Sequence, residues 1–319
     1  MAPLGKRSTF KGQDILSISQ FSREGLETVF RTASAMAEIV DKRGTSDLLR
    51  DKLLCTIFYE PSTRTNMSFQ AAMQRLGGRV ITIADVSTSS VAKGETLADT
   101  LRTLESYCDV IVLRLPEAPA LYEGAEAIQI PLINAGNGAD EHPTQALLDM
   151  YTIQRELGRI KNLKIGMLGD LKHGRTVHSL SLCAALFDNE LHFISPEDLR
   201  MPSPLLEKLN GIPVRYHEHT DIHEILAELD VLYVTRIQRE RFPASDLSVY
   251  ERLKGSYTVD SAMLLAAKPS LRILHPLPRV DEIAREVDSD PRAAYFRQVR
   301  YGMFVRMALF ALLFGRARS

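Results

Sequence analysis

The chain has 319 residues, 45% of them apolar and 25% charged, and a formal net charge of −1. That length exceeds one comfortable core and predicts two domains of about 150 residues. The balanced charge excludes nucleic-acid or membrane binding through bulk electrostatics alone, so any anion site has to come from a local cluster of cations.

Cys55, Cys108 and Cys183 are odd in number, far apart and set in apolar runs. They predict core-packed free thiols in a reducing, cytosolic compartment, not a disulfide framework or a zinc site. Lys6 and Arg7 are not followed by the apolar segment of a secretory leader. The apolar stretch 303–314 is too short to span a bilayer and contains Arg306. Phe304, Ala308, Ala311 and Leu312 share one helical face of it, which predicts a core-docking helix.

Taken in chain order, strand and helix patterns alternate. Strand-like runs fall at 53–59, 80–83, 110–113 and 132–134, and a second series at 164–168, 191–194, 214–216, 231–235 and 272–274. Helical periodicity fills the gaps, as in Leu97/Leu101/Leu104 and Leu180/Ala184. Such alternation predicts an α/β fold of two domains, each a parallel sheet flanked by helices. Between the two series, 143–157 opens on Pro143, carries Ala146, Leu147, Met150 and Leu157, and stops before Gly158. It reads as the helix leaving the first domain, 1–142, for the second, 143–319. In open α/β sheets ligands bind beyond the carboxyl ends of the strands, and the polar motifs lie there.

The first strand runs into Tyr59-Glu60-Pro61-Ser62-Thr63-Arg64-Thr65 at a helix start. First-turn N–H groups, hydroxyl donors and a forked guanidinium suit a phosphate; an ordinary helix cap is the plainer reading. The loop 87–95, with Ser89 and Lys93, is small and polar, and on local evidence a solvated loop with an incidental lysine is the stronger reading. Arg114 ends the third run and either snorkels to the surface or meets a ligand. After the fourth come Asn134-Ala135-Gly136-Asn137-Gly138 and His142-Pro143-Thr144-Gln145. His142 and Gln145 share a helix face and suit a carbonyl or amide. In the second series, 169–176 occupies the place of a dinucleotide-binding turn but lacks its glycine spacing. Thr235-Arg236-Ile237-Gln238 and His275-Pro276-Leu277-Pro278-Arg279 follow later strands. The prolines there remove N–H donors and leave carbonyls to accept from an amine. The strand ends thus collect arginines and no paired carboxylates, metal cluster or activated nucleophile. They suit orientation of an anionic substrate set and stabilisation of developing negative charge.

Jointly, the Ser-Thr-Arg-Thr, His-Pro-Thr-Gln, Gly-Arg-Thr-Val-His-Ser, Thr-Arg-Ile-Gln and His-Pro-Leu-Pro-Arg motifs, in this order, resemble the aspartate carbamoyltransferase catalytic chain. Asp288 to Phe296 is similar to the same family, and the likeness runs from about Leu16 to Leu313. The resemblance implies a carbamoyl phosphate-binding domain, an aspartate-binding domain, and a last helix, about 293–314, returning to the first. Ser62, Thr63, Arg64 and Thr65 would cradle the phosphate, and Thr65, Arg114 and His142 would polarise the carbamoyl carbonyl. Gln145 and the Leu277 and Pro278 carbonyls would place amino groups. Arg175, Arg236 and Gln238 would hold the aspartate carboxylates, and Ser89 and Lys93 would come from a neighbouring subunit of a homotrimer. Glu60 would be a domain-bridging acid facing Arg175 and Arg241.

The same resemblance implies carbamoyl transfer to L-aspartate in pyrimidine (UMP) synthesis, with no metal or organic cofactor. It leaves open a regulatory chain or fused pathway domains as partners. Leu115 stands where many members have His, and Asn137 where Asp is usual before Gly138. The rivals are an ornithine carbamoyltransferase, a non-catalytic sensor on the same fold and a nucleotide-binding dehydrogenase. The ornithine enzyme has a His-Cys-Leu-Pro segment and a Ser-Met-Gly loop; this chain has Pro276 and no such loop. A sensor predicts loss of Arg64, Arg114, His142 or Lys93, and all are present.

Overall fold

The structure, a computed structural model, describes residues 10–83, 94–237, 247–255 and 257–317. The chain divides into two compact units, Met1–Leu148 with Val299–Ser319, and Asp149–Gln298.

The first unit is built on a parallel four-stranded sheet in the order β2-β1-β3-β4. Its strands are β1 (Leu53–Phe58), β2 (Arg79–Ile83), β3 (Val110–Leu115) and β4 (Leu132–Asn137). The helices are α1 (Arg23–Arg43), α2 (Thr63–Arg75), α3 (Leu97–Glu105) and α4 (Ala118–Glu126). β1 and β3 are near-continuous apolar runs because helices cover both faces, whereas the edge strand β2 is largely exposed. α1 starts where the Ser22 side chain accepts from Gly25 N–H and stops at Gly44, at φ 78°, after Lys42 and Arg43 in the last turn. The core beneath the sheet includes Ile57, Leu101, Ile111, Leu113, Leu121 and Leu132.

The second unit holds a parallel five-stranded sheet in the order β7-β6-β5-β8-β9. These strands are β5 (Lys164–Leu168), β6 (Glu190–Ile194), β7 (Arg215–His219), β8 (Val231–Val234) and β9 (Arg272–Leu274). α6 (Arg175–Ala185), α7 (Ser203–Asn210) and α8 (Leu247–Leu253) belong to it. Leu168, Leu229, Leu232, Ile273 and Tyr295 are among its buried core residues.

Both passages between units fall inside helices. One lies in α5 (Pro143–Leu157), between Leu148 and Asp149, and the other in α9 (Tyr295–Leu313), between Gln298 and Val299. The division therefore comes six residues into α5 rather than at its start, because Pro143–Leu148 belongs with the first unit. The C-terminal part of α9 packs in the first unit. Arg306 is buried there, donates from Nη1 to Ser68 Oγ at 2.7 Å and stacks 4.8 Å from the Phe69 ring centroid. Phe310 meets the same ring edge-on at 5.9 Å.

The predicted strand runs all appear, within a few residues at their ends. β4 is the informative difference, since it continues to Asn137 through a segment whose Asn and Gly residues read as a loop. Side chains stabilise that extension: Asn134 Oδ1 accepts from Gly136 N–H at 2.7 Å, and Asn137 Oδ1 accepts from Glu141 N–H at 3.1 Å. Among the described residues no helix is long and apolar enough to cross a membrane. All three cysteines are free and buried.

Candidate active site

In the first unit, the segment between β1 and α2 presents the phosphate-type motif. Ser62 occupies the N-cap position with extended backbone, yet its side chain makes no capping hydrogen bond. A serine that does not cap leaves its hydroxyl and the helix's first N–H groups available to an anion. Thr63 and Arg64 are exposed, Ser62 is half-buried, and Thr65 is buried one residue further in. Partial burial lowers the affinity of the Arg64 guanidinium for its proton below the ordinary value. An arginine remains cationic under such a shift, and an incoming dianion would restore the solvation that burial removes.

β3 brings Arg114 to the same strand end. Phe58 is its register partner, and Tyr59 N–H donates to the Arg114 carbonyl at 2.9 Å. Its Nη1 donates to Ala135 O at 3.3 Å, and its Nη2 lies 3.2 Å from Glu60 Oε2. The Arg114 side chain is only 12% exposed, so the nearby carboxylate offsets a charge that burial would otherwise disfavour. The snorkelling alternative for Arg114 is therefore not what this side chain does. Glu60, read from the resemblance as an acid facing the second unit, here contacts Arg114.

His142 and Gln145 are both buried, at 4% and 8% exposure, at the start of α5. Gln145 N–H donates to the His142 carbonyl at 3.0 Å, closing the first turn. The approach to this turn is fixed from outside the motif. Glu141 accepts from Ser17 Oγ at 2.6 Å and from Ile18 N–H at 2.8 Å, and Gly138, at φ 52°, lies where a Cβ would come 2.6 Å from Pro116 O. Only glycine fits that approach. Glu141 and Ser17 were not singled out in the sequence, because residues 124 positions apart carry no local signal. Arg306 did carry one, as the single cation of the apolar stretch 303–314. It bears on α2 through Ser68.

In the second unit, Arg175 is the first residue of α6 and is 8% exposed. The turn before it is tightly packed. A Cβ at Gly169 would meet Thr235 O at 2.3 Å, and one at Gly174 would meet Asp170 O at 2.4 Å. Asp170, fully buried, accepts from His173 N–H at 2.9 Å, and His178 Nε2 lies 2.8 Å from Leu171 O. Such closeness explains glycines that lack dinucleotide spacing, since they admit neighbouring backbone rather than a pyrophosphate. Arg236 is half-buried just past β8, where Thr235 N–H donates to Leu168 O at 2.8 Å.

The His275–Arg279 segment follows β9. His275 Nε2 is 2.7 Å from Glu282 Oε1, and its Nδ1 accepts from Leu277 N–H at 2.7 Å. Although burial raises the Glu282 carboxyl, the His275 contact and backbone N–H donors outweigh it and leave the group below its ordinary value. Leu277 sits at φ 52° and the Leu277–Pro278 peptide is cis. Arg279 is bound by both Asp288 oxygens and donates to Tyr295 OH at 3.0 Å.

Within the first unit the structure thus gathers Ser62, Thr63, Arg64, Thr65 and Arg114 at adjacent strand ends, with His142 and Gln145 beyond β4. Arg175, Arg236, Leu277 and Pro278 lie past strand ends of the second unit. Ser89, Lys93, Gln238 and Arg241 lie outside the described residues. No group of three or more His, Cys, Asp or Glu among the described residues is arranged to hold a metal ion.

Comparison with known proteins fits this geometry. The aspartate/ornithine carbamoyltransferase carbamoyl-P binding domain matches residues 13–155, and the Asp/Orn binding domain of the same family matches 161–313. The aspartate carbamoyltransferase catalytic subunit of Thermococcus onnurineus is 55% identical over 96% of this chain and 98% of its own. The multifunctional protein pyr1-3 of Dictyostelium discoideum is 49% identical over 97% of this chain, which corresponds to 14% of that polypeptide. Among solved structures, aspartate transcarbamoylase from Trypanosoma cruzi in complex with N-(phosphonacetyl)-L-aspartic acid superposes with a TM-score of 0.90 at 46% identity, covering 94% of this chain and 95% of that one. The two positions noted in the sequence, Leu115 and Asn137, are register partners on β3 and β4, and both are buried. With both domain models matched in order and more than half the residues shared with a full-length relative, the chain belongs to the aspartate carbamoyltransferase family of catalytic subunits.

Proposed function

We propose that the chain transfers the carbamoyl group of carbamoyl phosphate to the amine of L-aspartate, giving N-carbamoyl-L-aspartate and phosphate for pyrimidine synthesis. The observation that carries this reading is the uncapped Ser62–Thr65 helix start beside Arg114. It offers a dianion N–H, hydroxyl and guanidinium donors without a competing internal cap. Thr65, Arg114 and His142 hydrogen-bond the carbamoyl oxygen and stabilise the oxyanion that forms when the neutral aspartate amine attacks. Gln145 and the Leu277 and Pro278 carbonyls position the nitrogens, and Arg175, Arg236 and Gln238 bind the two carboxylates. Collapse of the tetrahedral intermediate breaks the bond to phosphate, and the departing phosphate accepts the amine's proton. Glu60, which contacts Arg114 in the first unit, serves as the domain-bridging acid toward Arg175 and Arg241.

Two arginines for the acceptor suit two carboxylates and repel the ammonium of ornithine. Purified chain supplied with carbamoyl phosphate should form product with aspartate and little with ornithine. Equal or faster turnover with ornithine would overturn the assignment. For assembly, we propose a cytosolic homotrimer in which Ser89 and Lys93 complete a neighbour's site, with a regulatory chain or fused pathway domains as further partners. Lys93→Ala and Arg64→Ala trimers should each be nearly inactive, because every site lacks one cation. Any closed ring containing both types has one boundary joining an intact Lys93 to an intact Arg64. Mixed reassociation should therefore restore activity, and hybrid trimers that stay inactive would refute the shared site.

A further inference from the structure

One edge of the second unit's sheet holds three imidazoles between two carboxylates. His192 on β6 has Gly166 of β5 and His217 of β7 as register partners, and His219 follows two residues along β7, opposite Ile194. His192 is 2% exposed. Its Nδ1 lies 3.1 Å from His219 Nε2, and its ring stacks on His217 with centroids 5.2 Å apart at 19°. At one end, His219 Nδ1 is 2.8 Å from Glu224 Oε2, in the 3-10 turn Ile222–Glu224. At the other, Glu190 Oε1 lies 3.5 Å from His192 Nε2 and 3.3 Å from His217 Nε2.

The bonding order follows from the terminal carboxylate. Glu224 can only accept, so His219 donates its Nδ1–H and leaves Nε2 bare. That bare nitrogen accepts from His192 Nδ1–H, which leaves His192 Nε2 without a proton. His192 Nε2 is indeed buried with no hydrogen-bond partner. A buried lone pair facing a carboxylate oxygen is unfavourable, and a proton placed there would turn repulsion into a hydrogen bond.

We propose that this cluster is a proton-driven tautomer switch, in which uptake of one proton reverses the His192–His219 hydrogen bond. A proton enters at His192 Nε2, beside Glu190, and the Nδ1 proton of His192 passes to His219 Nε2. His192 ends neutral, with its N–H on Glu190 and its bare Nδ1 accepting from His219. His219 ends as an imidazolium between His192 and Glu224. One proton is gained and none is lost.

The charge settles on His219 because the surroundings of His192 resist it. Burial, then the neighbouring His219, His217 and Lys164, push the His192 imidazole down to about 4, with Glu190 opposing. The His219 side chain is 15% exposed against 3% for His192, and it bonds Glu224 directly. Among the described residues, further charges near the cluster are Arg215, 3.4 Å from Glu190, and Glu228, which is paired with Lys164 and feels the His192 ring.

The test is nitrogen NMR of the full chain labelled with 15N-histidine and titrated from pH 8 to pH 5. The chain has eight histidines, and His192→Gln and His219→Gln assign the two signals. His192 should change from the Nδ1–H to the Nε2–H form while staying neutral, at the midpoint where His219 becomes doubly protonated. Glu190→Gln should move the His219 midpoint down by about one pH unit, a tenfold loss of proton affinity, although the described contacts of Glu190 in the cluster are to His192 and His217. An unfolding curve at pH 8 checks that this variant is folded. The switch is refuted if His192 keeps its Nδ1 proton through the His219 titration. It is equally refuted if His192 itself becomes doubly charged there, or if folded Glu190→Gln leaves the His219 midpoint in place. The wild-type tautomer reading decides the matter even if the variant does not fold.

Discussion

The two motif-bearing strand ends, Ser62–Thr65 after β1 and His275–Arg279 after β9, treat their polar groups in opposite ways. At the first, Ser62 declines to cap its helix and Arg64 is exposed with its charge disfavoured by partial burial. At the second, His275 holds Glu282 and Leu277, while Arg279 is taken up by Asp288 and the Tyr295 hydroxyl. Arg279 and Asp288 accordingly shift in opposite directions, the guanidinium up and the carboxyl down, chiefly through their mutual hydrogen bonds. Both segments are equally conspicuous as strings of letters. Between Arg64 and Arg279 the difference is whether the fold has already supplied the anion, and Arg114, a candidate binding residue paired with Glu60, combines the two conditions.

If that distinction holds, damage to the second strand end should appear first as instability, and damage to the first as lost substrate binding. The largest effect is expected from Glu282→Ala, which leaves buried His275 without its partner. Glu282 also accepts from the Val280 and Asp281 N–H groups, so its loss breaks three charge-assisted hydrogen bonds and should cost about 3 kcal/mol, read as a lower denaturant midpoint. A midpoint unchanged by this substitution would collapse the contrast.

Next comes Arg64→Ala. Loss of a charge-assisted bidentate contact is worth roughly 2–3 kcal/mol, so the carbamoyl phosphate requirement should rise at least tens-fold with stability nearly unchanged. Arg236→Ala should do the same to the aspartate requirement, and an unaltered aspartate dependence would remove its assigned role.

The smallest effect concerns acid. Asp288 and Asp290 are held below the usual carboxylate range, mainly by side-chain bonds from Arg279 and Arg292. Their stabilisation is complete above the ordinary carboxylate range near pH 4 and is lost as pH falls through the depressed values. These pairs are partly exposed, so Asp288→Asn should cost about 1 kcal/mol at neutral pH and flatten the acid limb of the stability curve.

Much of this was legible in the sequence because parallel α/β folds put function where apolar runs stop. Arg114 and Arg236 are polar residues at the very end of such a run, and Ser62, Arg64, His142 and Arg175 follow one within a short turn. The Glu60–Arg114 contact did not, since it depends on the β1–β3 register that sets Phe58 opposite Arg114. Nor did β4 reveal its full length, because Asn134 and Asn137 supply hydrogen bonds that their turn-forming reputation hides. The histidine cluster was invisible for the same reason as Glu60. Its strands are far apart in the chain, and β7 alternates as an unremarkable edge.

The helix α9 has a consequence for how the molecule is made. Residues 149–298 form one uninterrupted compact unit, whereas the unit that begins earlier is finished only by residues 299–319. During synthesis the later unit can therefore complete its fold first, while the phosphate-motif helix α2 waits for Arg306 and Phe310 to emerge. A chain truncated after residue 298 would contain every strand of the second unit's sheet, while its Phe69 face would still lack its cover.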